Sequence, residues 1–372
     1  MKKMTNTMLT LAMGVMSALT LGSCCSAEKE QEAAQPQKVA DYLWQVDVEN
    51  YCDTVPNCML SGLGKEFACS AVRNGNYYGR NLDFFISEGA EIVVRTPAKD
   101  GRHATIGVCG LSGVTDADIE KGLTKEQMDV LPWSIYDGIN DAGLFCNMNV
   151  TSYDDGGDQT GTNPGKPDLS NLFLLRSLLD NCGSVDEAIE FVNSHNMIGK
   201  RLGEFNLHFM IGDPNKNVVL EFIDNKAVFK EQTIMTNFYV NMPKPNPHAD
   251  GIERYDILKA NYAEGGESME GMWNLLKRVQ FSQAYDPDVK PLWKTENLNG
   301  RTYDAPVEVV LADTSIQRDM RNFKHFKETG EYKPEWKLWF TVHNSTYDIA
   351  ARKLRVTVRE KYDKHYDFEL GK

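Results

Sequence analysis

Between Cys69 and Asp83 the chain sets a thiol, a tight turn and an Arg-x-x-Asp pair in one short span, Cys-Ser-Ala-Val-Arg-Asn-Gly-Asn-Tyr-Tyr-Gly-Arg-Asn-Leu-Asp. Ser70-Ala71-Val72 and Tyr77-Tyr78 are strand-like runs, and the Asn74-Gly75 dipeptide between them is a strong hairpin signal. A ribbon folded there returns Arg80 and Asp83 towards Cys69. A thiol beside a fixed cation gains thiolate character, and a nearby carboxylate can hold an ammonium. The group therefore suits a nucleophile whose base is an amine. Spacing alone favours a plainer use of the same residues, a buried cysteine next to an ordinary salt-bridged hairpin.

Cys69-Ser70 followed by Gly79-Arg80-Asn81-Leu82-Asp83 resembles the start of mature choloylglycine hydrolases, the linear-amide C–N hydrolases that include bile salt hydrolases and penicillin V acylases. It is similar, more distantly, to acid ceramidase and N-acylethanolamine acid amidase. In these N-terminal-nucleophile (Ntn) hydrolases the catalytic cysteine is the first residue, so the resemblance implies processing between Ala68 and Cys69. Cys69 would then be the nucleophile, and its freed α-amine, with a reference pKa of roughly 7.7 to 8, the base. Carried over residue by residue, the resemblance implies that Arg80 lies near the thiol and Asp83 holds the α-amine. It further implies that Asn237 donates its side-chain amide to the oxyanion and Arg254 orders the charged network. Without that context Asn237 reads as a turn amide and Arg254 as a solvated helix cation. The remaining family asparagine maps less cleanly, because the strand Gly143-Leu144-Phe145-Cys146-Asn147-Met148-Asn149 is one residue shorter than the bile salt hydrolase pattern. Asn149 is favoured and Asn147 stays open.

The elements that must position these residues are mostly strands. Glu91–Thr96 and Ala104–Val108 flank a Lys99-Asp100-Gly101 turn. Asp137–Leu144 reads as a turn rich in Gly, Asn and Asp that feeds a strand from Leu144 to Val150, on which Asn147 and Asn149 share a face. A polar loop follows from Thr151 to Asp168. Asp168-Leu169-Ser170 offers N-caps to a helix carrying Leu172, Leu175, Leu178 and Leu179, and Ser184-Val185-Asp186-Glu187 is a capping box for the next. Leu207–Asp213, Val218–Phe222 and Ala227–Phe229 form a meander in which His208 reads as a core or cross-strand histidine. Thr233–Asn237 ends a strand, Gly251–Tyr255 opens a helix, and another helix covers Met272–Val279. Trp339–His343 and Leu354–Val358 flank a turn that includes Asn344-Ser345-Thr346. Antiparallel sheets layered with helices, an α+β chain, follow from this order. The resemblance sharpens that to the four-layer αββα Ntn-hydrolase sandwich, from Cys69 to about Glu369.

The N-terminus begins Met1-Lys2-Lys3, continues with an apolar stretch from Met8 to Leu21 and ends in Gly22-Ser23-Cys24, a signal-peptide pattern too short to span a membrane as a helix. Leu21-Gly22-Ser23-Cys24 also resembles a bacterial lipobox. That implies a signal peptide over 1–23, a lipid on Cys24 and a membrane partner on the periplasmic or outer side of a bacterial cell. Residues 24–68 divide into a hydrophilic linker, Ser26–Gln37, and a propeptide in which Tyr42, Leu43, Trp44, Val46 and Val48 could bury against a domain. Cys52 and Cys58 are either a disulfide or two free thiols. Residues 69–372 form the catalytic domain.

The chain has 372 residues, 41% hydrophobic and 25% charged, with a net charge of −13, as expected of a globular protein that does not bind nucleic acid. No motif points to a metal, a nucleotide phosphate or a flavin, so no cofactor is expected. Cys109 does not complete a nucleophile elbow, and His343-Asn344 is a chance-level pairing for a papain-like site, whose local signature is absent. Leu82, Phe84, Phe85 and Trp133 could line an apolar acyl pocket, although each also suits a core. The expected substrates are N-acyl amides with a bulky apolar acyl part. Conjugated bile acids come first, then fatty-acid amides such as N-acylethanolamines or N-acyl amino acids, then penicillin V. Self-association into a homo-oligomer is left open. The rival from another class is a lipid-anchored binding protein with the same fold, in which the N-terminal segment stays attached and blocks Cys69.

Overall fold

The structure, a computed structural model, describes residues 34–51, 68–85, 89–152, 157–199, 205–242, 251–280, 339–359 and 362–371. The expected signal segment 1–23, Cys24, Cys52 and Cys58 lie outside the described residues. The strands are β1 (Gln37–Ala40), β2 (Leu43–Asp47), β3 (Ala68–Asn74), β4 (Tyr77–Phe85), β5 (Gly89–Thr96) and β6 (Thr105–Thr115). After helices α1 (Asp116–Lys121) and α2 (Lys125–Val130) come β7 (Ile135–Asn140), β8 (Phe145–Ser152) and β9 (Asp168–Ser170). Helices α3 (Leu174–Asn181) and α4 (Val185–Ser194) lead to β10 (Asn196–Ile198), β11 (Phe205–Gly212), β12 (Asn217–Ile223), β13 (Lys226–Lys230) and β14 (Ile234–Met235). Helices α5 (Ile252–Ala260) and α6 (Met269–Lys277) precede β15 (Trp339–Asp348), β16 (Lys353–Val358) and β17 (Tyr366–Glu369).

Two large sheets face each other. One has nine strands in the order β1-β2-β5-β6-β7-β8-β11-β12-β13, the other six in the order β14-β3-β4-β15-β16-β17. Neighbours in both are antiparallel except β2 and β5, which run parallel. A buried layer of Val93, Ile106, Val108, Phe145 and Met210 from the first sheet packs on Ala71, Tyr78, Tyr347 and Val356 from the second. Helix α3 covers β7 and β8 on the outer face of the large sheet, while α5 and α6 cover β3, β4 and β15 of the smaller one. The layers are therefore α, β, β, α, the sandwich expected. Ile92, Val93 and Val94 are buried without alternation because both faces of β5 are covered.

Local chemistry explains the hairpin that carries Cys69. Asn74 pairs with Tyr77, leaving Gly75-Asn76 as a two-residue loop, and Gly75 adopts φ +59°. The turn is thus Gly-Asn rather than the Asn-Gly suggested by sequence; a glycine at the first loop position accepts the left-handed backbone that strand twist demands. Three other expectations are corrected. Asp137 lies inside β7, not in a turn, which begins only at Asp141. Asp168–Ser170 forms a short strand paired with β10, and Ser170 takes the N-cap position of the helical turns that start at Asn171 without its side chain making a capping bond. Asn344-Ser345-Thr346 lies in the middle of β15, with the reversal beyond Asp348. Turn-type residues are tolerated in that strand because their side chains find buried partners on both of its faces.

Candidate active site

Register decides what surrounds Cys69. Across the hairpin Cys69 faces Leu82, Ala68 faces Asp83 and Ala71 faces Arg80. Side chains alternate along a strand, so Arg80 shares the inter-sheet face with Cys69, while Asp83 lies with Ser70 on the side covered by α5. Ser345 of β15 is opposite Arg80 on the next strand. A bulge between Thr341 and His343 re-aims Thr341 so that its hydroxyl donates to Asp83 Oδ1 at 2.6 Å.

The sulfur of Cys69 is 1% exposed as part of its residue and accepts from Arg80 Nη2 at 3.4 Å. The same guanidinium donates through Nη2 to the Met148 carbonyl at 3.2 Å and through Nη1 to Asp137 Oδ2 at 3.1 Å. Asp137 also accepts from Ser345 Oγ at 2.8 Å and from the Tyr347 hydroxyl. His343 spans two carboxylates, with Nδ1 2.8 Å from Glu91 Oε2 and Nε2 3.4 Å from Asp137 Oδ2. A connected chain of buried charge thus runs from Glu91 through His343, Asp137 and Arg80 to the thiol.

The main chain of Cys69 is gripped from the other face. Its N–H donates to Asn237 Oδ1 at 2.7 Å, and its carbonyl accepts from Arg254 Nη1 at 2.6 Å. Arg254 also reaches Ser70 Oγ at 3.1 Å and Asn237 Oδ1 at 2.8 Å, and its Nη1 lies 3.6 Å from Asp83 Oδ2. Gly251 makes this approach feasible: it opens α5 at φ +84°, and a Cβ there would come to 3.0 Å of Thr236 and of the Asn237 nitrogen.

Electrostatics set the resting state of these groups. Burial pushes the Cys69 thiol above its ordinary value, and the pull of Arg80 and Arg254 in the opposite direction only partly offsets it. In the intact chain the thiol is therefore neutral, contrary to the thiolate expected from a neighbouring cation alone. Burial also opposes charge on Asp137, yet His343, Arg80 and Tyr347 together outweigh it and hold the carboxyl below its usual value. For His343 burial is again the largest influence, but Glu91 and Asp137 raise the imidazole above its ordinary value. Cys109 and Cys146 are pushed far up by burial, and Cys182 to about 12. Among the described cysteines, Cys69 is the one whose sulfur accepts from a guanidinium.

Of the charged and amide residues expected at the site, Arg80, Asn237 and Arg254 bond Cys69 directly and Asp83 lies beside Arg254, whereas the buried Asn147 and Asn149 bond each other and the carbonyls of Met235 and Thr236 rather than Cys69. In the intact chain Asn237 uses both ends of its amide, Oδ1 for Cys69 and Nδ2 for the Val150 carbonyl at 2.7 Å. It therefore holds the nitrogen of residue 69 here, rather than offering an N–H to a substrate oxygen. Asn149 Nδ2 makes long 3.4 Å bonds to the carbonyls of Met235 and Thr236, and its Oδ1 accepts from Asn147 at 3.0 Å. Leu82 and Trp133 belong to the same buried apolar cluster as Cys69, with Trp133 packed edge-on against Tyr51 and Phe173. The side chains of Phe84 and Phe85 lie outside the described ones. No group of three or more potential metal ligands occurs among the described residues.

Sequence reasoning missed Glu91, Asp137, Ser345 and Tyr347, and set His343 aside. An alternation signal was present in His343, Ser345 and Tyr347, but reading Asn344-Ser345-Thr346 as a turn hid it. His208 is a cross-strand histidine as expected, 3.2 Å from Glu221 and 2.8 Å from the Thr236 carbonyl next to Asn237.

A family model for linear amide C–N hydrolases of the choloylglycine hydrolase family matches residues 68–274, more than half of the chain. The chain belongs to that family. Its chemistry is amide C–N hydrolysis, and the match starts at the residue before Cys69. Comparison with curated proteins gives no match. Among solved structures, a variant of conjugated bile acid hydrolase from Clostridium perfringens is 13% identical with TM-score 0.43, covering 81% of this chain and 92% of that one. Penicillin V acylase from Agrobacterium tumefaciens is 15% identical with TM-score 0.38, covering 78% and 83%.

Proposed function

We propose that this choloylglycine-family protein is an N-terminal-cysteine amidohydrolase that matures by cutting itself between Ala68 and Cys69. The observation that carries this reading is the double grip on one residue: Asn237 holds the nitrogen of Cys69 at 2.7 Å while Arg80 reaches its sulfur at 3.4 Å. In the intact chain that nitrogen is an amide and cannot act as a base. Attack of the Cys69 thiol on the Ala68 carbonyl breaks the C–N bond, passes the thiol proton to the departing nitrogen and leaves a thioester. Water then hydrolyses the thioester, giving an Ala68 carboxylate, a free thiol and a free α-amine. Intramolecular attack benefits from high effective molarity, so a neutral thiol can suffice.

In the processed enzyme the α-amine takes the thiol proton, and the thiolate attacks the substrate amide carbonyl. The ammonium returns the proton to the leaving amine, and a water molecule activated by the same amine clears the thioester. The position of Asp83 opposite Ala68 in the register supports its holding the ammonium. Asn149 suits the oxyanion better than Asn147, because its amide hydrogens are held only by long bonds that a charged oxygen can replace. Asn237 would join it by releasing Val150.

The apolar cluster around Cys69, with Leu82 and Trp133, supports N-acyl amides with bulky apolar acyl groups: conjugated bile acids, fatty-acid amides or penicillin V. The lipobox-like Leu21-Gly22-Ser23-Cys24 supports export and a lipid on Cys24; fatty-acid analogue labelling that persists in Cys24→Ala would rule the anchor out.

Cys69→Ala tests the mechanism. That variant should remain full length after signal removal and release no amine from a panel of the three substrate classes, whereas wild type should yield a chain beginning Cys69-Ser70-Ala71. Equal cutting of both proteins would assign the scission to an outside protease, and activity of uncut wild type would refute the mechanism.

A further inference from the structure

The strands β1 and β2 precede the proposed scission point, yet they are built into the nine-stranded sheet that faces the sheet carrying Cys69. β2 runs parallel to β5 in a register from Leu43 opposite Glu91 to Asp47 opposite Arg95. Main-chain bonds continue at both ends, from Glu91 N–H to the Tyr42 carbonyl at 2.9 Å and from Val48 N–H to the Arg95 carbonyl at 2.8 Å. We propose that this segment, residues 34–51, stays in place after scission, so that the mature protein is a two-chain complex whose shorter chain is a structural subunit. The proposal rests on the scission reading above and adds what becomes of the released piece.

Burial on both faces of β2 is the first argument. Leu43 is fully buried in the layer between the sheets, while Trp44, Val46 and Val48 belong to a second buried cluster, to which Cys69 and Leu82 also belong. Removing β2 would open both clusters and leave β5 paired on one side only, with β6, exposing a row of unpaired main-chain groups on an apolar edge. A disposable propeptide needs neither arrangement.

Polar anchoring is the second. Asp116 accepts from the Trp44 indole N–H at 2.7 Å and from the Tyr42 main-chain N–H at 3.0 Å, charge-assisted bonds that fix the strand along its axis. The Gln35 side chain donates to the Leu123 carbonyl at 3.2 Å and accepts from the Leu123 N–H at 2.7 Å. At the far end the Tyr51 hydroxyl donates to Asp180 at 2.8 Å, with the Arg102 guanidinium 4.4 Å from its ring centre. None of these groups changes when the bond between Ala68 and Cys69 breaks. Tyr51 also meets Trp133 edge-to-face with ring centres 6.3 Å apart, so the short chain supports the large apolar cluster to which Cys69 also belongs. With a lipid on Cys24, retention would keep the catalytic chain at the membrane.

The test uses the full chain with a C-terminal affinity tag, purified in mild detergent. Size exclusion followed by denaturing mass measurement should find a chain beginning at Cys69 in one-to-one complex with a fragment ending at Ala68. A tagged chain beginning at Cys69 and lacking the fragment would overturn the proposal while leaving the scission reading intact. A single uncut chain would overturn both, and N-terminal sequencing separates the two cases. Trp44→Phe keeps the ring but loses the bond to Asp116, so the fragment should leave about tenfold faster or more on dilution into mild urea. Release at the wild-type rate would refute the anchoring role assigned to Asp116. The wild-type mass measurement decides retention even if the variant folds poorly.

Discussion

Two arginines hold Cys69 from opposite faces of one strand, and they hold different parts of it. Arg254, with Asn237, Ser70 and Asp83, binds the main chain on the helix-covered side. Arg80, backed by Asp137, His343 and Glu91, meets the sulfur between the sheets. Scission turns the nitrogen on the first side from an amide into an amine and leaves the second side chemically unchanged. The main-chain grip is therefore suited to keeping residue 69 in place through that change, and the thiol grip to setting the reactivity of its sulfur. Neither arginine substitutes for the other, because each guanidinium is committed to a separate set of acceptors.

The largest effect expected from breaking this division is in Arg254→Met. Asp83 and the Cys69 carbonyl would lose a buried cationic partner, which costs about 3–5 kcal/mol when one side of such a pair is removed. Urea unfolding of Arg254→Met in a Cys69→Ala background, where no cutting complicates the transition, should show that loss. In the otherwise wild-type protein uncut chain should accumulate; scission at the normal rate would erase the distinction between the two grips.

Arg80→Met should act on the thiol instead. Arg80 lowers the Cys69 pKa by charge and by its hydrogen bond, so removing it should raise the pH midpoint of Cys69 alkylation. Iodoacetamide rates across a pH series on processed enzyme measure this directly. An unmoved midpoint would mean that Arg80 serves Asp137 alone.

His343→Gln sharpens the comparison with the smallest effect. The folded pKa of His343 is raised above its ordinary 6.5, so the histidine stabilises the fold fully below that value. That contribution is lost as pH rises through the folded pKa, and each pH unit between the unfolded and folded values is worth about 1.4 kcal/mol. Wild type should therefore show falling urea midpoints above pH 6.5, and His343→Gln should lose that slope. A slope retained in the variant would place its origin in another group. The depressed Asp137 behaves oppositely, since its contribution is present above the ordinary 3.8 and disappears only as pH falls through its lowered folded value.

Legibility in the sequence followed the distance over which each signal acts. Cys69, Arg80 and Asp83 share one hairpin, so short-range turn chemistry brought them together, even though the loop proved to be Gly75-Asn76. Asn237 and Arg254 were reachable only through the family resemblance, because nothing local distinguishes them from a turn amide and a surface cation. Asp137 was read into a turn from its Gly and Asn neighbours, whereas pairing with β6 and β8 makes it a strand residue facing Arg80. Ser345 was lost for the same reason, since propensity cannot register that a hydroxyl will meet a buried carboxylate from another sheet.

By itself the sequence determined the local and periodic features: the hairpin, the helical leucines of α3, the meander β11 to β13, and a cysteine in the setting of an amide hydrolase. These depend on neighbours within a few residues, or on a motif whose spacing survives in one dimension. Only the tertiary structure decided that Arg254 grips the main chain of residue 69, because that follows from the packing of α5 on β3, and that Thr341 meets Asp83, because that follows from the β15 bulge. It also decided that the thiol of the intact chain is neutral, since burial is a property of the packed molecule and outweighs the nearby cations. Tertiary structure alone, finally, put Leu43 and Trp44 inside the nine-stranded sheet: the sequence marks them as apolar, but their partner β5 comes from beyond the proposed cut.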